Sequence, residues 1–212
     1  MGASVLTLLN KESCIEKFFP ALPNATHFAS LVTNRKLSPL SSSVGRLFDA
    51  TAALLGLCDI QHDEARAAMQ LESAAYKTRP HVHHDGFEIK GGQLSLLPFL
   101  DKIVCAHGTL TSQSVSQWAA DFHATLAFGL VQLTLRACQR TSYKGPIVLT
   151  GGCMANRILT TCLVNELRAQ NRESYYPQKV PAGDGGLALG QVWLAHLAHK
   201  AQVDQYIFEG DR

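Results

Sequence analysis

Two glycine pairs, each set between a short apolar run and a helix-forming stretch, constrain this chain most. Residues 148–157 read VLTGGCMANR and residues 181–191 read PAGDGGLALGQ. A glycine pair at the mouth of a helix costs backbone entropy, so something must require the bare backbone there. The flanking patterns give strands at PIVLT (146–150) and SYYP (174–177), and helices over 155–170 and 187–200. Strand, turn, helix, said twice, predicts an α/β fold with helices packed on a small mixed sheet.

A helix N-terminus presents unpaired amides and a partial positive charge, and glycines before it let a phosphate or nucleoside come close. Each pair alone reads equally as a tight strand-to-helix turn. Two together, one with Asp184 and one followed by Asn156, point to a shared ligand rim at the carboxyl ends of the strands. Neither is a phosphate loop of the Gly-Lys-Ser/Thr kind, and neither matches GxGxxG. Asp184, between Gly183 and Gly185, suits a hard cation or a simple helix cap; both readings stand.

Upstream, VGRLFDATAALLG predicts a helix over 44–56, capped by one of the serines of SPLSSS and stopped by Gly56. One of its faces carries only Gly45, Asp49, Ala52 or Ala53, and Gly56, so either a second helix or a ligand approaches there. Further helices are expected over 63–78 and 114–140, with a hairpin turning at Gly91-Gly92. His123 falls at the edge of the long helix's apolar face and reads as a satisfied core histidine. HVHHDG (81–86) reads as surface decoration, since no helical i,i+4 histidine or nearby cysteine completes a ligand set. Residues 1–43, with Pro20, Pro23 and Pro39, read as a lead-in segment to one unit over 44–212.

Composition excludes some classes. Net charge is +2 with no basic run longer than a pair, which gives no support for a nucleic-acid partner. The six cysteines form no CxxC, so they are expected reduced, without a zinc finger or disulfide frame. Met1-Gly2 is followed by Leu6 where a myristoylation signal has Ser or Thr. No stretch of 18 uninterrupted apolar residues occurs, so no membrane partner is expected, and the expected location is cytoplasmic.

In order, SSSVGRLFDATAALLGL, EARAAMQLE, VLTGGCMANRIL and PAGDGGLALGQ resemble the C-terminal part of the hydrogenase maturation carbamoyltransferase family, HypF, over about 38–195. The tRNA threonylcarbamoyltransferase family is a more distant likeness. The resemblance implies one actin-like (RNase H-like) lobe with an added helical region. It implies ATP or a related nucleotide between two lobes, and a divalent metal, zinc, iron or magnesium, beside its phosphates. The implied chemistry carries carbamoyl phosphate through a carbamoyl-adenylate to the C-terminal cysteine of a hydrogenase maturation partner. By the same likeness Asp49 and Glu64 face the nucleotide, Gly151, Gly152 and Asn156 form its turn, and Asp184 is a metal ligand. The family's glycine after Glu64 is replaced by Ala65. Its histidine metal ligands belong to an HxxxH-type helix of the preceding lobe, absent from this sequence. The chain is therefore expected to be incomplete for catalysis alone. Two alternatives are a non-catalytic nucleotide- or protein-binding module of the same descent, and a kinase-like phosphotransferase of the same fold superfamily.

Overall fold

The computed structural model describes residues 1–22, 25–34 and 36–209; Pro23 lies outside the described residues, as do 210–212 at the end of the expected unit. In chain order come α1 (Gly2–Leu8), α2 (Ile15–Phe18), α3 (Ala25–Thr33), α4 (Val44–Leu54) and α5 (Arg66–Ala75). The strands β1 (Glu88–Lys90) and β2 (Gln93–Ser95) precede α6 (Leu97–Ala106) and the long α7 (Ser112–Arg140). Then follow β3 (Ile147–Val148), α8 (Arg157–Ala169), β4 (Ser174–Tyr175) and α9 (Leu187–Glu209). The α/β expectation holds, although the strands form two separate ladders. β1 and β2 pair antiparallel about Gly91 and Gly92, both at positive φ, while β3 and β4 pair parallel.

The core is organised on α7, whose Phe122, Leu126 and Val131 are buried with Ala119, Ala120 and Ala127. Thr111 and Ser114 close its start as a reciprocal capping box, each side-chain oxygen accepting from the other's backbone amide. The ring of Phe48, from α4, meets Phe122 edge to face at 5.0 Å. Aromatic pairs in that geometry place the ring edge on the electron-rich face of its neighbour. Helices α4, α5 and α8 pack around this centre.

The lead-in reading of residues 1–43 is corrected. Val5, Leu6, Ile15, Phe18 and Phe19 are buried in the same core as Phe48 and Leu54. A Cβ on Gly2 would stand 3.2 Å from the Ala53 Cβ, so the small residue lets α1 lie close on α4. The small-residue face of α4 is thus used for helix packing at Ala53. An additional helix, α6, was not expected: Pro98 occupies its first turn and Phe99, Leu100, Ile103 and Val104 are its buried stripe.

Candidate functional site

The two glycine turns touch. Gly151 sits at φ 105, ψ 160, and its amide donates to the Ala182 carbonyl at 2.8 Å. The Thr150 hydroxyl donates to the same carbonyl at 3.1 Å. A Cβ on Gly183 would lie 3.2 Å from the Gly152 Cα, so the segments meet backbone to backbone. Only glycine enters the conformation of Gly151 without strain, which explains one residue of the pair by the turn itself.

Each pair leads first into a 3-10 turn, Gly152–Ala155 and Asp184–Gly186, and only then into an α-helix. The mouth of α8 is filled by the protein. Asn156 Oδ1 accepts from the Leu159 amide at 2.9 Å, and Glu72 Oε1 accepts from the Arg157 amide at 2.7 Å. The expected anion-seeking helix end is therefore already neutralised by a carboxylate from α5. The amides of Gly152 and Cys153 have no acceptor among the described residues and are the donors open to a ligand.

Asn156 is buried and committed at both ends of its amide. Its Nδ2 donates to His123 Nε2 at 3.0 Å, and His123 Nδ1–H donates to the Ala119 carbonyl at 2.7 Å. Burial pushes His123 down to about 4, so the ring is neutral and accepts from Asn156. The expectation for His123 as a core histidine holds. One bond at each polar atom of Asn156 is thus made inside the protein, which leaves one amide proton and one oxygen lone pair uncommitted.

Asp49 and Glu64, from α4 and the turn before α5, open into one cleft of about 490 Å³. Arg46, Asp59, His62 and Asp63 line it as well. Asp49 is largely covered and pairs with Arg46 at 3.3 Å. Helix α4 packs against the Gly152–Ala155 turn. Burial raises the Cys153 thiol, and the nearby Asp49 charge raises it further. Burial lowers the Met1 amine, which lines the same cleft, against the pull of Asp49. Ala65 caps α5 at φ 59, a left-handed conformation that a β-carbon disfavours. The glycine of the resembled pattern is thus accounted for by backbone conformation at this site.

Asp184 is exposed at the second turn. Among the described residues no group of three or more His, Cys, Asp or Glu side chains could hold a metal ion. One carboxylate does not make a site, so the residues present do not by themselves fit a metal.

The surface reading of HVHHDG holds for His81 and His84, which are exposed, and is corrected for His83. His83 Nε2 donates to Asp121 Oδ2 at 3.0 Å, and the His81 amide and Gln117 Nε2 donate to Oδ1, each at 2.7 Å. The His83 ring lies against Phe99 and Trp118. This loop is latched onto a buried carboxylate of α7. The signal in the sequence was Asp121 itself, a charge between Ala120 and Phe122 in the middle of an apolar helix.

The fold and turns define a class: the chain belongs to the family described as "Carbamoyltransferase, Kae1-like Domain, second subdomain", whose model matches residues 1–191. Within it the similarity is to HypF proteins. The chain is 33% identical over 192 residues to the carbamoyltransferase HypF of Rhizobium leguminosarum bv. viciae, covering 90% of this chain and 24% of that protein. A HypF homolog of Cupriavidus necator is 32% identical over 203 residues, covering 92% of this chain and 51% of that protein. A crystal structure of full-length HypF in the phosphate- and nucleotide-bound form superposes with a TM-score of 0.70 at 27% identity, covering 89% of this chain and 25% of the other. The chain thus spans about a quarter of the length of that solved relative. Among the described residues, no helix is long and apolar enough to cross a membrane.

Proposed function

We propose that the chain supplies one wall of the nucleotide site of a HypF-type carbamoyltransferase. The observation that carries this is the convergence of Asp49 and Glu64 on one cleft, with the Asp49 helix packed against the Gly152 turn. A carboxylate beside a cleft accepts two hydrogen bonds from vicinal ribose hydroxyls, and ionised acceptors make such bonds strong. The open amides of Gly152 and Cys153 donate toward phosphate oxygens, while Asn156 positions that turn through His123. The solved relative described as phosphate- and nucleotide-bound supports this choice of ligand.

In this reading carbamoyl phosphate and ATP are substrates of the whole enzyme, which works in the cytoplasm. The acceptor is a hydrogenase maturation protein with a C-terminal cysteine. Asp184 contributes one ligand to a divalent metal completed by residues from outside this chain. Catalysis is not carried by this chain alone, because one wall leaves a ligand half solvated. The test is calorimetric titration of the purified chain with ATP and magnesium, beside Asp49→Ala. Saturable heat that is lost in the variant supports the reading; equal binding by both proteins rejects it.

A further inference from the structure

The arginines beside the cleft are already committed to carboxylates. Arg46 pairs with Asp49 at 3.3 Å, and Arg66 with Asp63 at 3.6 Å. Asp59 and Glu64 line the same cleft with no cation within 4 Å among the described residues. The Met1 amine, the other basic group of the lining beside His62, is held below its ordinary value by burial. Much of the remaining lining is apolar, with Phe19, Leu22, Phe28 and Val32. Unpaired carboxylates next to apolar surface fit a ligand that donates hydrogen bonds and carries no negative charge.

The glycine turns add little positive charge. Glu72 occupies the mouth of α8 at the Arg157 amide, and Asp184 stands on the second turn, which meets the first backbone to backbone. These two carboxylates offset the exposed Arg157 side chain. The amides of Gly152 and Cys153 are the donors left for a phosphate.

Given the nucleotide wall proposed above, on which this rests, we infer that the chain recognises the nucleoside part of its ligand and not the phosphates. The uncharged sugar and base fill the cleft, with sugar hydroxyls donating to the carboxylates and the base covering apolar lining. The countercharge for the phosphates comes from outside this chain. Within the chain itself, adding phosphates to the nucleoside weakens binding through like-charge repulsion.

The test is calorimetric titration of the whole chain with adenosine and with ATP, both in EDTA, at 10 and 150 mM ionic strength. The expected result is adenosine at least threefold tighter than metal-free ATP at 10 mM. The gap should shrink at 150 mM, where charges are screened within about 8 Å instead of about 30 Å. Adenosine affinity should fall at least fivefold in Asp49→Ala and in Glu64→Ala. Glu64 is exposed, so its variant is expected to keep the wild-type circular dichroism. Metal-free ATP as tight as adenosine at 10 mM overturns the inference and leaves the nucleotide wall standing. Adenosine affinity retained in both variants overturns it too, because the nucleoside then sits elsewhere. With no adenosine binding at all it falls as well, and the ATP–magnesium titration tells whether the nucleotide wall falls with it.

Discussion

The amide of Asn156 donates to Nε2 of His123 across 3.0 Å, joining the turn after the first glycine pair to the middle of α7. The same side chain caps α8 through Leu159. Two elements 33 residues apart are thereby set against each other by one buried group. Replacing Asn156 by Ala removes the cap and strands a buried ring nitrogen, and the expected loss is about 2–3 kcal/mol in a urea titration. A loss under about 0.5 kcal/mol would show that the bond carries nothing.

His123 makes stability depend on pH. Its folded value of about 4 lies below the ordinary 6.5, so the unfolded chain binds more protons between those values. Its contribution is full above about 6.5 and declines as pH falls toward 4, to a total of about 3 kcal/mol. Urea midpoints measured from pH 7 to 4 should fall more steeply for wild type than for His123→Gln. Parallel slopes would rule the histidine out as the source.

Ala65 holds a left-handed backbone at the start of α5. Ala65→Gly is expected to raise stability by about 1 kcal/mol, with an unchanged denaturant slope. The same variant frees the backbone next to Glu64, which lines the cleft, so a change in ATP affinity would accompany it if the ribose lies there.

The two glycines of the first pair separate turn from ligand. Gly151→Ala forces a β-carbon into φ 105 and is expected to cost about 1–3 kcal/mol. A Cβ on Gly152 meets nothing within 4 Å, so Gly152→Ala should leave the urea midpoint nearly unchanged. Its effect should appear in calorimetry, as ATP affinity weakened by tenfold or more. Unchanged affinity would mean that the ligand does not approach this backbone.

Glu72 accepts from the Arg157 amide, and its charge faces the positive end of α8. Glu72→Gln should cost about 0.5 kcal/mol and Glu72→Ala about 1–2 kcal/mol in chemical denaturation. No loss in Glu72→Gln would show that the charge is irrelevant, and equal losses in the two variants would show that the hydrogen bond adds nothing to it.

Local chemistry alone determined the helices 44–56 and 114–140, the Gly91-Gly92 hairpin and the strand–turn–helix repeat. Periodicity and glycine at positive φ act over a few residues and leave their mark in the order of the residues themselves. The match of four ordered motifs likewise lay in the sequence. Tertiary structure decided the rest. Residues 1–43 looked like a lead-in because α1 and α2 are too short to show a period; α1 is buried by packing on α4 and α6, and α2 packs on α3. His83 looked exposed because its partner, Asp121, is 38 residues away in sequence. The bond from Asn156 to His123 went unnoticed because nothing local shows it, and so did Glu72, whose acceptor role exists only once α5 meets α8. A hydrogen bond between elements distant in sequence has no local signature, so the folded chain alone assigns which polar atoms at the glycine turns are already bonded and which remain open to a ligand.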